Sequence, residues 1–184
     1  GVAGRPVLPP RRSVPARSDL VSWWPAEGNG FDIAGANNGV FVNGVGCATG
    51  RIGDAFAFNG MAGDYVEVPD FPSLRLTNEL TIEFWVRRQR PFSADYVVEK
   101  GGAWNLGRLN YGAGIGAAKF KHSLFFAFAG GIRYSTGITD TKWHHCAITA
   151  RNGDVDPDFY IDGVRQPVTG PQPRGAGRIV LHPS

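Results

Sequence analysis

Residues 80–86 read LTIEFWV, and Ile82, Phe84 and Val86 fall on every second position. Side chains of a strand alternate between its two faces, so apolar residues spaced by two mark one buried face of a β-strand. The same spacing recurs in Phe56 and Phe58 of DAFAFN (54–59) and in Val66 and Val68 of DYVEV (64–68). Outward from there, short apolar or alternating runs appear at 20–24 (LVSWW), 39–45 (GVFVNGV), 95–100 (DYVVEK), 122–128 (HSLFFAF), 143–150 (WHHCAITA), 158–164 (DFYIDGV) and 178–182 (RIVLH). NG, GNG, GG and DG steps separate them, which is the chemistry tight turns require. Gly or Pro interrupts every window long enough for an amphipathic helix of three turns. About ten strands with turn signals at intervals of roughly 10–15 residues predict an all-β sandwich or barrel.

Composition agrees. Of 184 residues, 42% are hydrophobic, and 26 glycines and 13 prolines supply many turns without the period of collagen. Positive charge is concentrated at the start: Arg5, Arg11, Arg12 and Arg17 stand against Asp19, and their net +3 equals that of the whole chain. The remainder is balanced and lacks the clustered Lys and Arg of a phosphate-binding surface, so nucleic acid is not an expected partner. Residues 1–19, GVAGRPVLPPRRSVPARSD, hold four prolines and no periodicity, which predicts an exposed arm or linker ahead of a domain at 20–184. No stretch approaches the roughly 18 apolar residues of a membrane span, and the first residues hold no apolar signal core, so any export signal is expected upstream. Cys47 and Cys146 suffice for one disulfide, and bonded and free states both stay open.

Four blocks resemble the concanavalin A-like, laminin-G-like jelly-roll family, in particular its bacterial branch. They are LVSWWPAEGNGFDIAGANNGV (20–40), GRIGDAFAFNG with DYVEVPD (50–60 and 64–70), LTNELTIEFWVR (76–87) and WHHCAITARNGDVDPDFYIDGV (143–164), in order and with matching spacing. The resemblance implies a two-sheet antiparallel β-sandwich, an extracellular or cell-surface setting, binding of a glycan or a surface protein, and often calcium. Family members usually continue to a last strand with an Asp-Glu pair and a Tyr, whereas this sequence ends at RIVLHPS. Two expectations stay open: the sequence is a piece of a longer chain that carries this strand, or the edge at Leu20 to Trp24 is covered by RIVLH, by the arm or by a partner chain.

The resemblance places calcium in two loops, with Asp32, Asn37, Asn38 and Asp64 as its expected ligands; the alternative is that these side chains organise turns. Asp154, Asp156 and Asp158 mimic the start of an EF-hand, but Phe159 replaces the turn glycine and Arg165 the closing Glu, so a solvated hairpin tip is expected. Neighbours on a strand point to opposite faces, so His144 and His145 do not make a shared zinc site with Cys146. Related glucanases carry a Glu-x-Asp-x-x-Glu run; here Glu83 and Glu67 stand alone in their strands, and no nucleophile elbow or phosphate loop is present, so no enzyme is expected. For ligand binding, Trp104 in the glycine-rich GGAWNLGRLNYGAG stretch is the expected exposed aromatic, with Asn105, Arg108, Asn110 and Tyr111 around it, while Trp85 and Trp143 are assigned to the scaffold. The expected function is a non-catalytic recognition module; the alternative is an assembly subunit that uses its open edge and its arm.

Overall fold

The computed structural model describes residues 19–60, 63–89, 95–101, 109–115, 123–128 and 131–169. The chain divides between Phe71 and Pro72 into two compact units. Among the described residues there is no α-helix, only a single 3-10 turn at Pro72–Leu74. All paired strands are antiparallel, as the alternation predicts.

The first unit holds four short strands: β1 (Val40–Val42), β2 (Gly46–Thr49), β3 (Asp54–Ala57) and β4 (Tyr65–Glu67). β1 pairs with β4 and β2 with β3. Phe41 and Phe56 meet edge to face with ring centroids 5.7 Å apart. Residues 20–24, expected to form the first strand, enter no ladder, which corrects that expectation. Their polar groups are taken locally instead. The Trp23 N–H donates to Asp32 Oδ1 at 2.8 Å, its carbonyl accepts from the Ile33 N–H at 2.9 Å, and the Trp24 indole donates to the Asn37 carbonyl at 2.8 Å. RIVLH and residues 1–18 lie outside the described residues.

The second unit is the sandwich. β5 (Glu79–Val86), β10 (His144–Arg151), β11 (Asp158–Ile161) and β12 (Val164–Gln166) form one sheet in the order β12-β11-β10-β5. β6 (Asp95–Gly101), β7 (Leu109–Ile115), β8 (Ser123–Phe128) and β9 (Gly131–Gly137) form the other in chain order. Their facing sides share one core. Leu80, Cys146, Ile148, Ala150 and Phe159 come from the first sheet, and Ala113, Ile115, Leu124 and Phe126 from the second, with Ile82, Phe84 and Val86 packed against them. Asp162 and Gly163 have φ of +52° and +78° and join β11 to β12 in a two-residue turn, the left-handed conformation that an Asp-Gly step tolerates. Thr169 extends the second sheet beyond β9, exchanging backbone hydrogen bonds with Tyr134 at 2.7 and 3.1 Å.

Both cysteines are free thiols. Cys146 is fully buried, and burial, with the charge of Asp162 adding to it, pushes its thiol up to about 12. It therefore packs as a small hydrophobe. Phe159 is likewise fully buried, whereas Val164 beside the hairpin turn is exposed. Phe159→Ala is expected to cost about 3–5 kcal/mol, read as a lowered urea midpoint, while Val164→Ala stays within about 0.5 kcal/mol of the parent. Equal midpoints for the two variants would contradict this core.

Candidate functional site

The loop after residue 24 is organised around Asp32, which is buried. Its Oδ1 accepts the backbone N–H groups of Trp23, Ala34 and Gly35 at 2.8, 3.0 and 3.0 Å, and its Oδ2 accepts that of Asn37 at 3.1 Å. Burial alone would raise its pKa, but these four donors outweigh burial and hold the carboxyl below its ordinary value. Asn37 is buried and donates to Ser22 Oγ at 2.7 Å, and Asn38 Oδ1 accepts the Asp32 N–H at 3.0 Å. Ligating a metal through Asp32 would mean giving up bonds that shape the loop. Asp64 differs. Its Oδ1 accepts the Gly44 N–H at 3.1 Å, while its Oδ2 is buried without a hydrogen-bond partner among the described residues. Among those residues no three His, Cys, Asp or Glu side chains gather as a metal-holding group.

Of the residues expected to bind ligand, Trp104, Asn105 and Arg108 lie outside the described residues. Asn110 and Tyr111 lie on β7, where Tyr111 pairs with Lys100 and with Phe128 through the backbone; their side chains are outside the description.

The open face is the outward side of the β12-β11-β10-β5 sheet. The register that turns Leu80, Ile82 and Phe84 toward the core turns Thr81, Glu83 and Trp85 away from it. Trp85 stands opposite His145, Glu83 opposite Ala147, and Thr81 opposite Thr149. One strand further, Ala147 faces Tyr160 and Thr149 faces Asp158; Tyr160 in turn faces Arg165. Trp85 is 41% exposed, and its ring packs tilted against His145 with centroids 5.2 Å apart. His145 Nε2 lies 3.9 Å from Glu83 Oε2, and the hydroxyls of Thr81 and Thr149 are 3.1 Å apart. Arg165 Nε donates to Asp158 Oδ1 at 3.0 Å, and Arg151 Nε to Glu79 Oε2 at 3.0 Å. Ala147, with only a methyl group, forms a shallow floor among larger neighbours.

The outward side of the other sheet is also aromatic but more closed. Tyr96, Gly114, Phe125 and Tyr134 share one row across it, and Glu99, Gly112, Ala127 and Ile132 the next. Tyr96 packs edge-on against Phe125 at 5.0 Å, and Phe125 and Ala127 are buried. Burial pushes the Glu99 carboxyl up, and burial followed by the Glu99 and Tyr134 charges pushes the Tyr96 phenol up.

His144 and His145 have separate partners, as strand alternation predicts. The His144 ring is clamped: Nε2 lies 2.7 Å from Asp140 Oδ1 and Nδ1 lies 2.7 Å from Asp162 Oδ2. Asp162 Oδ1 also accepts the His145 N–H at 2.9 Å, tying the hairpin turn to the start of β10. Of the aspartates at the hairpin, Asp156 lies on Arg133 and Asp158 on Arg165, while Asp154 is exposed at the tip.

Trp85, which the sequence reading assigned to the scaffold, and His145 are candidate residues that the exposed face brings forward. A signal was present: if Ile82, Phe84 and Val86 share the core face, Trp85 belongs to the opposite one. A laminin-G model of the concanavalin A-like lectin/glucanases superfamily matches residues 58–177, well over half of the chain. No curated protein and no solved structure matches it.

The His144 clamp has a defined pH dependence. Burial would lower the His144 pKa, but the hydrogen bonds to Asp140 and Asp162 outweigh it and raise the value above 6.5. Its contribution is full below 6.5 and is lost as pH rises through the raised value. The hydrogen bond to His144 lowers both aspartates from 3.8, so their contribution is full above 3.8 and is lost as pH falls through the lowered values. The stability gap between the parent and His144→Gln is therefore expected to be widest between pH 3.8 and pH 6.5 and to narrow on the alkaline side. Urea unfolding across pH checks this, and a gap unchanged from about pH 5 to about pH 9 would contradict the clamp.

Proposed function

Since the chain belongs to the concanavalin A-like lectin/glucanases superfamily, we propose that it is a non-catalytic recognition module that binds a glycan through the outward face of the β12-β11-β10-β5 sheet. The observation that carries this reading is Trp85, a half-exposed indole on a strand, with Glu83, His145 and the Thr81–Thr149 pair beside it. Sugar rings stack on flat aromatic faces, and polar neighbours fix their hydroxyls. Strand-borne side chains are already ordered, so little entropy is lost on binding.

Glycoside hydrolysis takes two carboxyl groups roughly 5–9 Å apart across the scissile bond. On this face His145 is the neighbour of Glu83, at 3.9 Å, while Asp158 and Glu79 are held by Arg165 and Arg151. These pairings favour binding over catalysis. The extracytoplasmic setting belongs to the same proposal and rests on the family resemblance. Calcium enters it at Asp64, whose free Oδ2 is the oxygen a cation would take.

On a glycan array, Trp85→Ala is expected to lose at least tenfold in signal against the parent, with unchanged circular dichroism. An array on which the parent binds no glycan, or on which the variant binds as well as the parent, would reject the reading. Calcium is tested apart from it. A cation held only by the folded state at 100 times its Kd adds about 2.7 kcal/mol, so the parent should melt higher in calcium than in chelator, and Asp64→Ala should lose the difference. Equal melting temperatures for the parent would remove calcium and leave the glycan reading standing.

A further inference from the structure

Among the described strand residues, Trp85 on β5 and Tyr160 on β11 are the large aromatic side chains of this outward face apart from His145, with β10 between them. Trp85 pairs with His145 and Tyr160 with Ala147, so two strand spacings and two residues of rise separate them. At about 4.8 Å per spacing and about 3.4 Å per residue, their Cα atoms lie about 12 Å apart. One sugar ring cannot lie on both aromatics; a short chain of rings can.

The ground between them suits such a chain. Ala147 keeps the middle of the path low, His145 and Thr149 flank it along β10, and Glu83 faces it from β5. Among the described residues β5 and β12 are the outer strands of this sheet, so no further strand of the sheet walls the face at either side. The face is an open platform among the described residues, whereas recognition of a chain end would call for a closed pocket around one terminal ring. The charges balance in number: Asp158 is paired with Arg165 and Glu79 with Arg151, while Glu83 lies beside His145 and Arg87, two residues beyond Trp85, lies over the Trp143 ring. Such a surface offers hydroxyl partners without a net cationic field for sulfated or acidic sugars.

We infer that this face reads the interior of a linear, uncharged glycan laid across the strands from Trp85 to Tyr160. The inference rests on the glycan reading proposed above and narrows it to a class of ligand.

The test uses the full chain on an array carrying linear neutral glucans, xylans, mannans and N-acetylglucosamine oligomers, graded from single sugars to octamers. Branched glycans ending in galactose or sialic acid share the array, and calorimetry follows on the strongest ligands. The expected result is binding to a linear neutral series, with affinity rising about tenfold or more from the shortest oligomers to those long enough to span both aromatics, then levelling. Trp85→Ala should weaken every length. Tyr160→Ala should leave the short oligomers unchanged and bring the long ones down to them, which a merely structural loss would not do. Ala147→Gln, which raises the floor and keeps both aromatics, should weaken only the long oligomers and serves if Tyr160→Ala fails to fold. Binding to terminal sugars regardless of chain length, abolished by Trp85→Ala, would overturn this inference and keep the glycan reading. Length-dependent binding that neither Tyr160→Ala nor Ala147→Gln alters would also overturn it. Absence of binding to any glycan would overturn both.

Discussion

β5 and β10 pair residue for residue from Glu79–Arg151 to Val86–His144, without a bulge, and the rest of the second unit hangs on that register. A strand has two faces, so one register assigns every side chain of both strands at once. It sends Leu80, Ile82 and Phe84 with Cys146, Ile148 and Ala150 into the core shared with the second sheet. The same assignment sends Glu83, Trp85, His145 and Thr149 outward. A slip of β5 by one residue would put Trp85 and Glu83 into the core and Ile82 and Phe84 into water, so the hydrophobic effect that holds the sandwich together also holds the aromatic face in place. The exposed aromatic face and the core are thus two consequences of one constraint.

Charged groups finish what burial begins. The Asp162-Gly163 turn is required for β12 to return along β11, and the Asp162 carboxylate reaches back to the His144 ring and to the His145 N–H. The turn therefore fixes the end of β10 from which His145 projects toward Trp85. In the first unit Asp32 plays an equivalent part without a strand, gathering four backbone N–H groups into one loop. Charge-assisted hydrogen bonds of this kind are stronger than neutral ones, which suits loops that lack ladder bonds of their own.

Much of this fold could be read in the residues. The runs at 39–45, 54–59, 64–68, 80–86, 95–100, 143–150 and 158–164 each contain or overlap a strand, because alternation or apolar run and turn glycine coincide there. β7 (LNYGAGI) and β9 (GIRYSTG) escaped, since glycines and polar residues blur a period of two; neighbouring strands supply the pairing their own sequences do not announce. LVSWW misled in the other direction: it is apolar enough for a strand, but Trp23 and Trp24 find partners in the Asp32 loop, a long-range competition that local pattern does not show. The candidate site was legible only in part. Trp85 occupies a position the family resemblance assigns to scaffold, and only its parity with Phe84 revealed that it faces away from the core. Asp32 carries the expected carboxylate, and its four donors became visible only with the loop in place.

The most direct test of glycan recognition by this sheet face is a crystal structure of the chain with the strongest glycan found on the array. Sugar density stacked on Trp85 and running over Ala147 toward Tyr160 is the expected result. Sugar bound instead on the side of Tyr96 and Phe125, or in the loops of the first unit, with the Trp85 face empty, would contradict it.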